Sequence, residues 1–226
     1  MATILWPRSV LKPKRDPFNI APRTLAGPSS VSGVTQVTAS DAGIWKATFS
    51  DIIIRRGSPS VLAFRAIANL LEGRLRPILV PRCCAYQPFV ADGNGAADKV
   101  PHSDTSPFSD GGLYRSRSID IRLTSNIPLR GTTANISLIA AGQLQPGMDF
   151  SIGERMYRIR TVQMTGENTA TITFRPPARE AAPAGSEMEF DYPVCRMRLA
   201  TDSEMDLDVD LISQWSFPTV NFIEDV

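Results

Sequence analysis

The sequence predicts a mainly β protein with one α-helix, in which a helix-bearing β-sheet or sandwich is interrupted by a small antiparallel barrel. Three observations predict this. Short runs of alternating apolar and polar residues, the period of half-buried strands, recur along most of the chain. The 18 prolines and 15 glycines among 226 residues punctuate those runs too often for long helices. Only the stretch from Pro59 to Glu72 places its apolar residues three and four apart, as a helix does.

In chain order, residues 1–30 carry Pro7, Pro13, Pro17, Pro22 and Pro28, which exclude a regular helix and predict an extended N-terminal arm. Trp6 and Phe18 are its large apolar anchors, suited to docking on a neighbouring subunit. Val31 to Thr38 alternates weakly, and Asp41-Ala42-Gly43 predicts a turn. A strand follows, with Trp45, Ala47 and Phe49 alternating with Lys46, Thr48 and Ser50, and Ile52, Ile53 and Ile54 extend it. Gly57 breaks the strand, Ser58 is placed to cap a helix, and Pro59 suits the first helical position, where its missing N–H is no loss. The spacing predicts a helix over residues 59–72. Val61, Phe64, Ala68 and Leu71 form the buried face, with Leu62, Ile67 and Leu70 flanking it and Arg65, Asn69 and Glu72 on the opposite side. Gly73 is the expected left-handed cap, and Ile78 to Val80 begins another strand.

From Pro81 to Arg117 the punctuation by Asp92-Gly93-Asn94-Gly95, Pro101, Pro107 and Asp110-Gly111-Gly112 predicts a long loop, the kind that serves function or contact. Ile119, Ile121 and Leu123 read as a strand. Turn signals then come at short intervals. Gln145-Pro146-Gly147 is a turn that needs glycine at its third position, Gly153-Glu154 is a tight hairpin, and Thr165-Gly166-Glu167-Asn168 turns again. Around them lie strand patterns at Ile136 and Leu138, at Phe150 and Ile152, from Met156 to Val162, from Thr169 to Phe174, at Met188 and Phe190, and from Val194 to Leu199. Together these predict a compact barrel. Leu207, Val209 and Leu211 alternate with Asp206, Asp208 and Asp210, and Trp215 to Phe222 is apolar enough to return a strand to the first domain. The expected boundaries are therefore 31–117 with 200–226 for the sheet domain and 118–199 for the barrel.

Charge and cysteines narrow the function classes. Lysine and arginine total 24 against 23 acids, a net charge of +1 without a basic block, so nucleic acid is not an expected partner. Three cysteines, two of them adjacent at Cys83 and Cys84, argue against a disulfide framework and for reduced thiols. No apolar run has the length of a signal peptide or a membrane span, and the expectation is a soluble, unexported chain.

The motif search finds little chemistry. His102 lies near Cys83, Cys84, Asp104 and Asp110, but a thiol enzyme needs its thiolate activated on a rigid element, and no catalytic set is expected. Cys83, Cys84, His102 and Cys195 lack zinc spacing. Asp92, Asn94 and Asp98 begin like a calcium loop without its distal acid, and the carboxylates of Asp206, Asp208 and Asp210 are about 7 Å apart along a strand, too far to share one ion. Neither GxGxxG nor GxxxxGK[ST] occurs, so no cofactor is expected. Small barrels of the OB type bind single strands through aromatics and basic residues, and Tyr157, Arg158, Arg160 and Phe174 sketch such a surface. Strand alternation separates Tyr157 from the two arginines, which favours an oligomer-facing or solvated pair.

Taken as an ordered set, "GIWKATFSDIIIRR", the helix "SPSVLAFRAIANLLEG", the hairpin "PGMDFSIGERMYRI", the strand "TATITFRPP" and the C-terminal "WSFPTVNFIED" resemble the distal tail proteins of long-tailed bacteriophages and gene transfer agents. The resemblance covers Ile44 to the C-terminus. It implies a ring-forming belt domain with an inserted small barrel, and a non-enzymatic, structural role in the virion. The implied assembly is a homohexameric ring between tail tube and tail-tip hub, contacting tail tube protein, tape measure protein and hub protein, with DNA only passing through its lumen. Trp6 and Phe18 on the arm, and Trp45, Phe49, Arg65, Asn69 and Glu72 on the belt, are the expected oligomer or partner contacts. The competing expectation is a tail-tip or baseplate module that recognises host-surface carbohydrate.

Overall fold

The computed structural model describes residues 3–29, 31–33, 35–82, 87–88, 99–100, 104–109, 114–115, 119–208 and 214–226. The fold is mainly β, with multiple sheets and one helix among the described residues. The chain divides into two compact units, Met1–Arg82 with Val194–Val226 and Cys83–Pro193.

The first unit is built on a six-stranded sheet. Its strands are β1 (Ile4–Leu5), β2 (Phe18–Ser29), β3 (Thr35–Phe49), β5 (Ile78–Pro81), β13 (Val194–Leu199) and β15 (Val220–Glu224), in the spatial order β1-β5-β13-β15-β3-β2. Pairing is antiparallel except between β1 and β5. The alternation at Trp45, Ala47 and Phe49 buries all three, and β15 brings Val220 opposite Phe49 and Phe222 opposite Ala47. Trp6, Phe18, Phe49 and Phe222 complete the aromatic core through edge-on contacts, with centroids 5.5 Å apart for Trp6 and Phe49 and 5.6 Å for Trp6 and Phe222. A small second ladder joins β4 (Ile54–Arg55) to β14 (Trp215–Ser216).

Helix α1 (Pro59–Leu71) starts where its capping residues predict. Ser58 is extended, its side chain accepts from the Ser60 amide, and Pro59 opens the first turn. The helix buries Ser60, Phe64, Ile67 and Leu71. Its end differs by one residue from the expectation: Glu72, not Gly73, is the C-cap, left-handed at φ 51°, with its N–H donating to Ala68 O, and Gly73 continues the left-handed turn at φ 65°.

The second unit is a curled five-stranded antiparallel sheet, a half-barrel. It consists of β8 (Asp120–Leu123), β9 (Thr133–Ala140), β10 (Asp149–Ile152), β11 (Arg155–Met164) and β12 (Thr169–Arg175), in the order β10-β11-β12-β9-β8. The turns are those the residues dictate, with Gly147 at φ 95° and Gly153 at φ 59°. Residues 186–189 bond to both edge strands: Leu123 N donates to Ser186 O, Met188 N to Ile121 O, and Ser151 and Glu189 exchange a pair. Hence the Met188–Phe190 pattern, expected as a strand, closes the open side as isolated bridges. Phe150, Tyr157, Phe174 and Phe190 fill the interior, with Tyr157 and Phe174 5.0 Å apart. A two-residue ladder, β6 (Lys99–Val100) with β7 (Tyr114–Arg115), lies in the stretch expected as loop.

Several expectations are corrected. Residues 1–30 are not a separate arm, because β1 and β2 are strands of the first unit's sheet. The Asp41-Ala42-Gly43 turn is absent, since β3 runs through it, with a register shift against β2 between Ala21 and Arg23. Asp51, at φ 53°, ends that strand before the isoleucines. Val194–Leu199 belongs to the sheet between β5 and β15, not to the barrel, and the stretch from Cys83 to Arg117 belongs with the barrel, not the sheet. Leu207 and Asp208 are not in a strand, while Val209, Asp210 and Leu211 lie outside the described residues, as do Cys83, Cys84, His102, Asp92, Asn94, Asp98 and Asp110.

Candidate assembly surface

The residues expected to meet partners fall into two groups. Trp6, Phe18, Trp45 and Phe49 are between 0% and 3% exposed. This corrects their expected role, because an aromatic side chain consumed by its own core has no surface left to offer. Trp6 is further tied down by Nε1 donating to Leu11 O at 3.1 Å. Arg65, Asn69 and Glu72 are exposed on α1. Leu62, Leu70 and Leu75 beside them are 70%, 45% and 64% exposed, so this face is more apolar than the pattern of Arg65, Asn69 and Glu72 implies. Glu72 is engaged within its own chain by Arg76, whose Nη2 lies 3.1 Å from Oε1.

The barrel aromatics and Arg158 are likewise used internally. Tyr157 and Phe174 are buried. Arg158 sits across the ladder from Asp149 and grips its carboxylate with Nε at 2.6 Å and Nη2 at 2.9 Å. This corrects the expectation of a solvated or oligomer-facing pair for Arg158 and removes it from a nucleic-acid surface, while Arg160 is exposed. The two-residue hairpin at Gly153 determines that pairing, so the signal was present in the sequence as register. A cavity of about 380 Å³ opens beside Tyr157, Phe174 and Ala182, but its lining contains neither cysteine nor histidine, and Glu180 is paired with Arg155 at 2.9 Å. Among the described residues no three His, Cys, Asp or Glu side chains are placed to hold a metal ion. Cys195 is buried.

The surface that sequence reasoning missed is the outer part of the β2–β3 hairpin. β15 pairs with β3 only over Lys46 to Phe49, and β2 is the edge strand. N-terminal to Ile44 the two strands therefore form a ribbon that, among the described residues, is paired only with itself, through Arg23 with Ser40, Thr24 with Ala39, Leu25 with Thr38, Ala26 with Val37 and Ser29 with Thr35. At about 3.4 Å per residue, Thr35 to Ile44 extends roughly 30 Å. Leu25, Val31 and Val37 are 76%, 110% and 59% exposed. Between Pro22 and Ser40 the only charged residue is Arg23, in a chain that is 21% charged. Edge strands that stay in water are protected by charge, proline or bulges, and a lone two-stranded ribbon is marginal in water. This ribbon has bulge-like register shifts and two prolines at its base and turn, but almost no charge. The missed signal was that absence of charge.

Charges elsewhere in the first unit stabilise it locally. Burial alone would raise the Asp225 carboxyl. The hydrogen bonds and charges of Arg198 and then Arg196, with Nε atoms 2.6 and 2.9 Å away, outweigh burial and hold its pKa below the usual value. No helix among the described residues is long and apolar enough to cross a membrane. A scan of the chain against protein-family models matches none, and a search of curated proteins finds no match.

Proposed function

We propose that this chain is a structural subunit of a phage tail tip, a distal tail protein whose copies close into a hexameric ring joining the tail tube to the tail-tip hub around the DNA exit channel. The observation that carries the reading is the ribbon from Pro22 to Ser40. It is long, nearly uncharged and, among the described residues, paired only with itself, the features of a strand pair completed by another subunit. The ordered sequence resemblance from Ile44 onward supports the same role, and the free helix face bearing Leu62, Arg65, Asn69 and Leu70 supplies a second surface for packing. Tail tube protein, tape measure protein and hub protein are the partners of that role. A net charge of +1 suits a channel through which DNA passes without being held. The protein would reside in the virion tail after assembly in the host cytoplasm.

The test is negative-stain electron microscopy of the purified protein beside its mass in solution, for the native chain and for a Leu25→Glu/Val37→Glu variant. The native chain is expected to give rings with a central hole and a hexameric mass, and the variant monomers with unchanged circular dichroism. A native chain that remains monomeric at high concentration and shows no rings overturns the reading. Rings that form equally well from the variant remove the ribbon as their basis.

A further inference from the structure

A second surface of the first unit is built from three segments distant in sequence. Backbone hydrogen bonds tie them together: Ile53 N donates to Lys12 O at 3.1 Å, Arg56 N to Gln214 O at 2.8 Å and Ile52 N to Pro218 O at 3.0 Å. On this scaffold Trp215 stands opposite Arg55 in the β4–β14 ladder, and Phe217 follows two residues later. The two aromatic rings are parallel within 2°, with centroids 6.4 Å apart, and both residues are substantially exposed, at 40% and 47%. Lys14 Nζ lies 4.6 Å from the Phe217 centroid and Arg55 Cζ 5.4 Å from that of Trp215. The order is cation, ring, ring, cation.

Lys12, Arg15 and Arg56 are exposed on the same three segments. Among the described residues no carboxylate pairs with Lys12, Lys14, Arg15, Arg55 or Arg56. Asp16, next to Arg15, is taken by Arg8 at 2.8 Å, and Asp51, next to Ile52, forms no ion pair with any of the five among the described residues. Asp208 meets the strip through its backbone, its carbonyl accepting from Ser216 Oγ at 2.6 Å. Among the described residues the strip is thus a local excess of positive charge, five cations with Asp16 and Asp51 as the acids on the same segments, on a nearly neutral protein.

The arrangement selects among anionic ligands. A guanidinium resting on an indole keeps its N–H fork directed outward and in one orientation, which suits bidentate pairing with a carboxylate. Each aromatic ring has a face met by a cation, whereas single-stranded nucleic acid binds by stacking bases on open ring faces. Trp and Arg around an apolar neighbour are also the residues that dominate protein interfaces, and Ile53 here is 38% exposed. We infer that the strip formed by Lys14, Phe217, Trp215 and Arg55 is a docking site for an extended acidic segment of a partner polypeptide. Its carboxylates pair with Arg55 and Lys14, Lys12, Arg15 and Arg56 surround them with positive charge, and the exposed ring edges and Ile53 take the intervening apolar side chain. This site stands independently of ring formation.

The test uses the full chain and fluorescence anisotropy, with a short fluorescein-labelled poly-L-glutamate as one probe and an oligo-dT of matched formal charge as the other. Poly-L-glutamate is expected to bind more tightly than oligo-dT and to weaken as salt is added. A Lys14→Gln/Arg55→Gln variant is expected to lose affinity about tenfold or more, and Trp215→Ala to weaken binding as well. An Arg130→Gln/Arg160→Gln variant, changed at two exposed cations outside the strip, should bind as the native chain does. Absence of poly-L-glutamate binding, tighter binding of oligo-dT, or an equal loss in the Arg130/Arg160 variant overturns the inference. Should Lys14→Gln/Arg55→Gln alter the thermal melt, Lys12→Gln/Arg56→Gln replaces it with the same criteria. Rings in micrographs without probe binding reject this site alone, and probe binding by a strict monomer rejects the ring alone.

Discussion

Trp6→Ala distinguishes an aromatic that completes its own core from one that anchors an arm on a neighbouring subunit. Trp6 is 1% exposed and meets Phe49 and Phe222 edge-on at 5.5 and 5.6 Å. Truncating a buried aromatic of this size costs about 3–5 kcal/mol through lost transfer energy and the cavity left behind. Its Nε1 also satisfies Leu11 O at 3.1 Å, and orphaning that carbonyl adds about 1 kcal/mol. The expected loss is therefore about 4–6 kcal/mol, a large share of the roughly 5–15 kcal/mol that keeps such a chain folded. For a chain of this length, roughly 2–4 °C per kcal/mol places the fall in melting temperature at about 8–24 °C. Trp6→Phe keeps an aromatic ring but loses the N–H, and about 1–2 kcal/mol should be lost. The assay is thermal and urea unfolding followed by near-ultraviolet circular dichroism at two widely separated protein concentrations. A loss below about 1 kcal/mol, or one seen only where copies associate, would refute the reasoning, because Trp6 would then be stabilised by another subunit.

Two further predictions concern charge. Asp225 is held below its ordinary pKa by Arg198 and Arg196 despite burial, so its contribution is present above the unfolded carboxylate value, near about 4, and is lost as pH falls through the lowered folded value. Urea titrations stepped from neutral to acid should show the native chain losing its advantage over Asp225→Asn across that window; a constant difference would refute the assignment. In the barrel, Asp149→Ala leaves Arg158 without the carboxylate it holds at 2.6 Å, on a side chain only 29% exposed. The expected cost is about 2 kcal/mol, read from the urea midpoint, and the double variant Asp149→Ala/Arg158→Ala should recover part of it. Additive losses would mean that the pair is not coupled.

Local chemistry is legible where a residue's own conformational limits decide the outcome. Ser58, Pro59 and the apolar spacing define α1 to within one residue at its end, since capping oxygens and proline act over a single turn. Gly147 and Gly153 locate the barrel turns because they adopt positive φ without strain. The Gly153 hairpin even implies the Arg158–Asp149 pair through its register. The charge-poor run from Pro22 to Ser40 was visible too, although its meaning depends on knowing that no other strand among the described residues pairs with it.

Short-range sterics and side-chain period therefore dictate the kind of each element, its turns and the mainly β composition. Which element pairs with which was decided only by the tertiary structure. The alternation at Val194–Leu199 reads equally well as a barrel strand or a sheet strand, and only its place between β5 and β15 chooses. Trp6 and Phe18 show apolar bulk in a proline-rich segment, and period alone cannot say whose core will bury it. Lys14, Arg55 and Trp215 are individually ordinary residues, and become one strip because backbone bonds bring three distant segments together. The physical reason is common to all three cases: hydrophobic burial is non-directional and rewards any partner that removes apolar area from water, so the identity of the partner resides in the assembled fold and not in the segment.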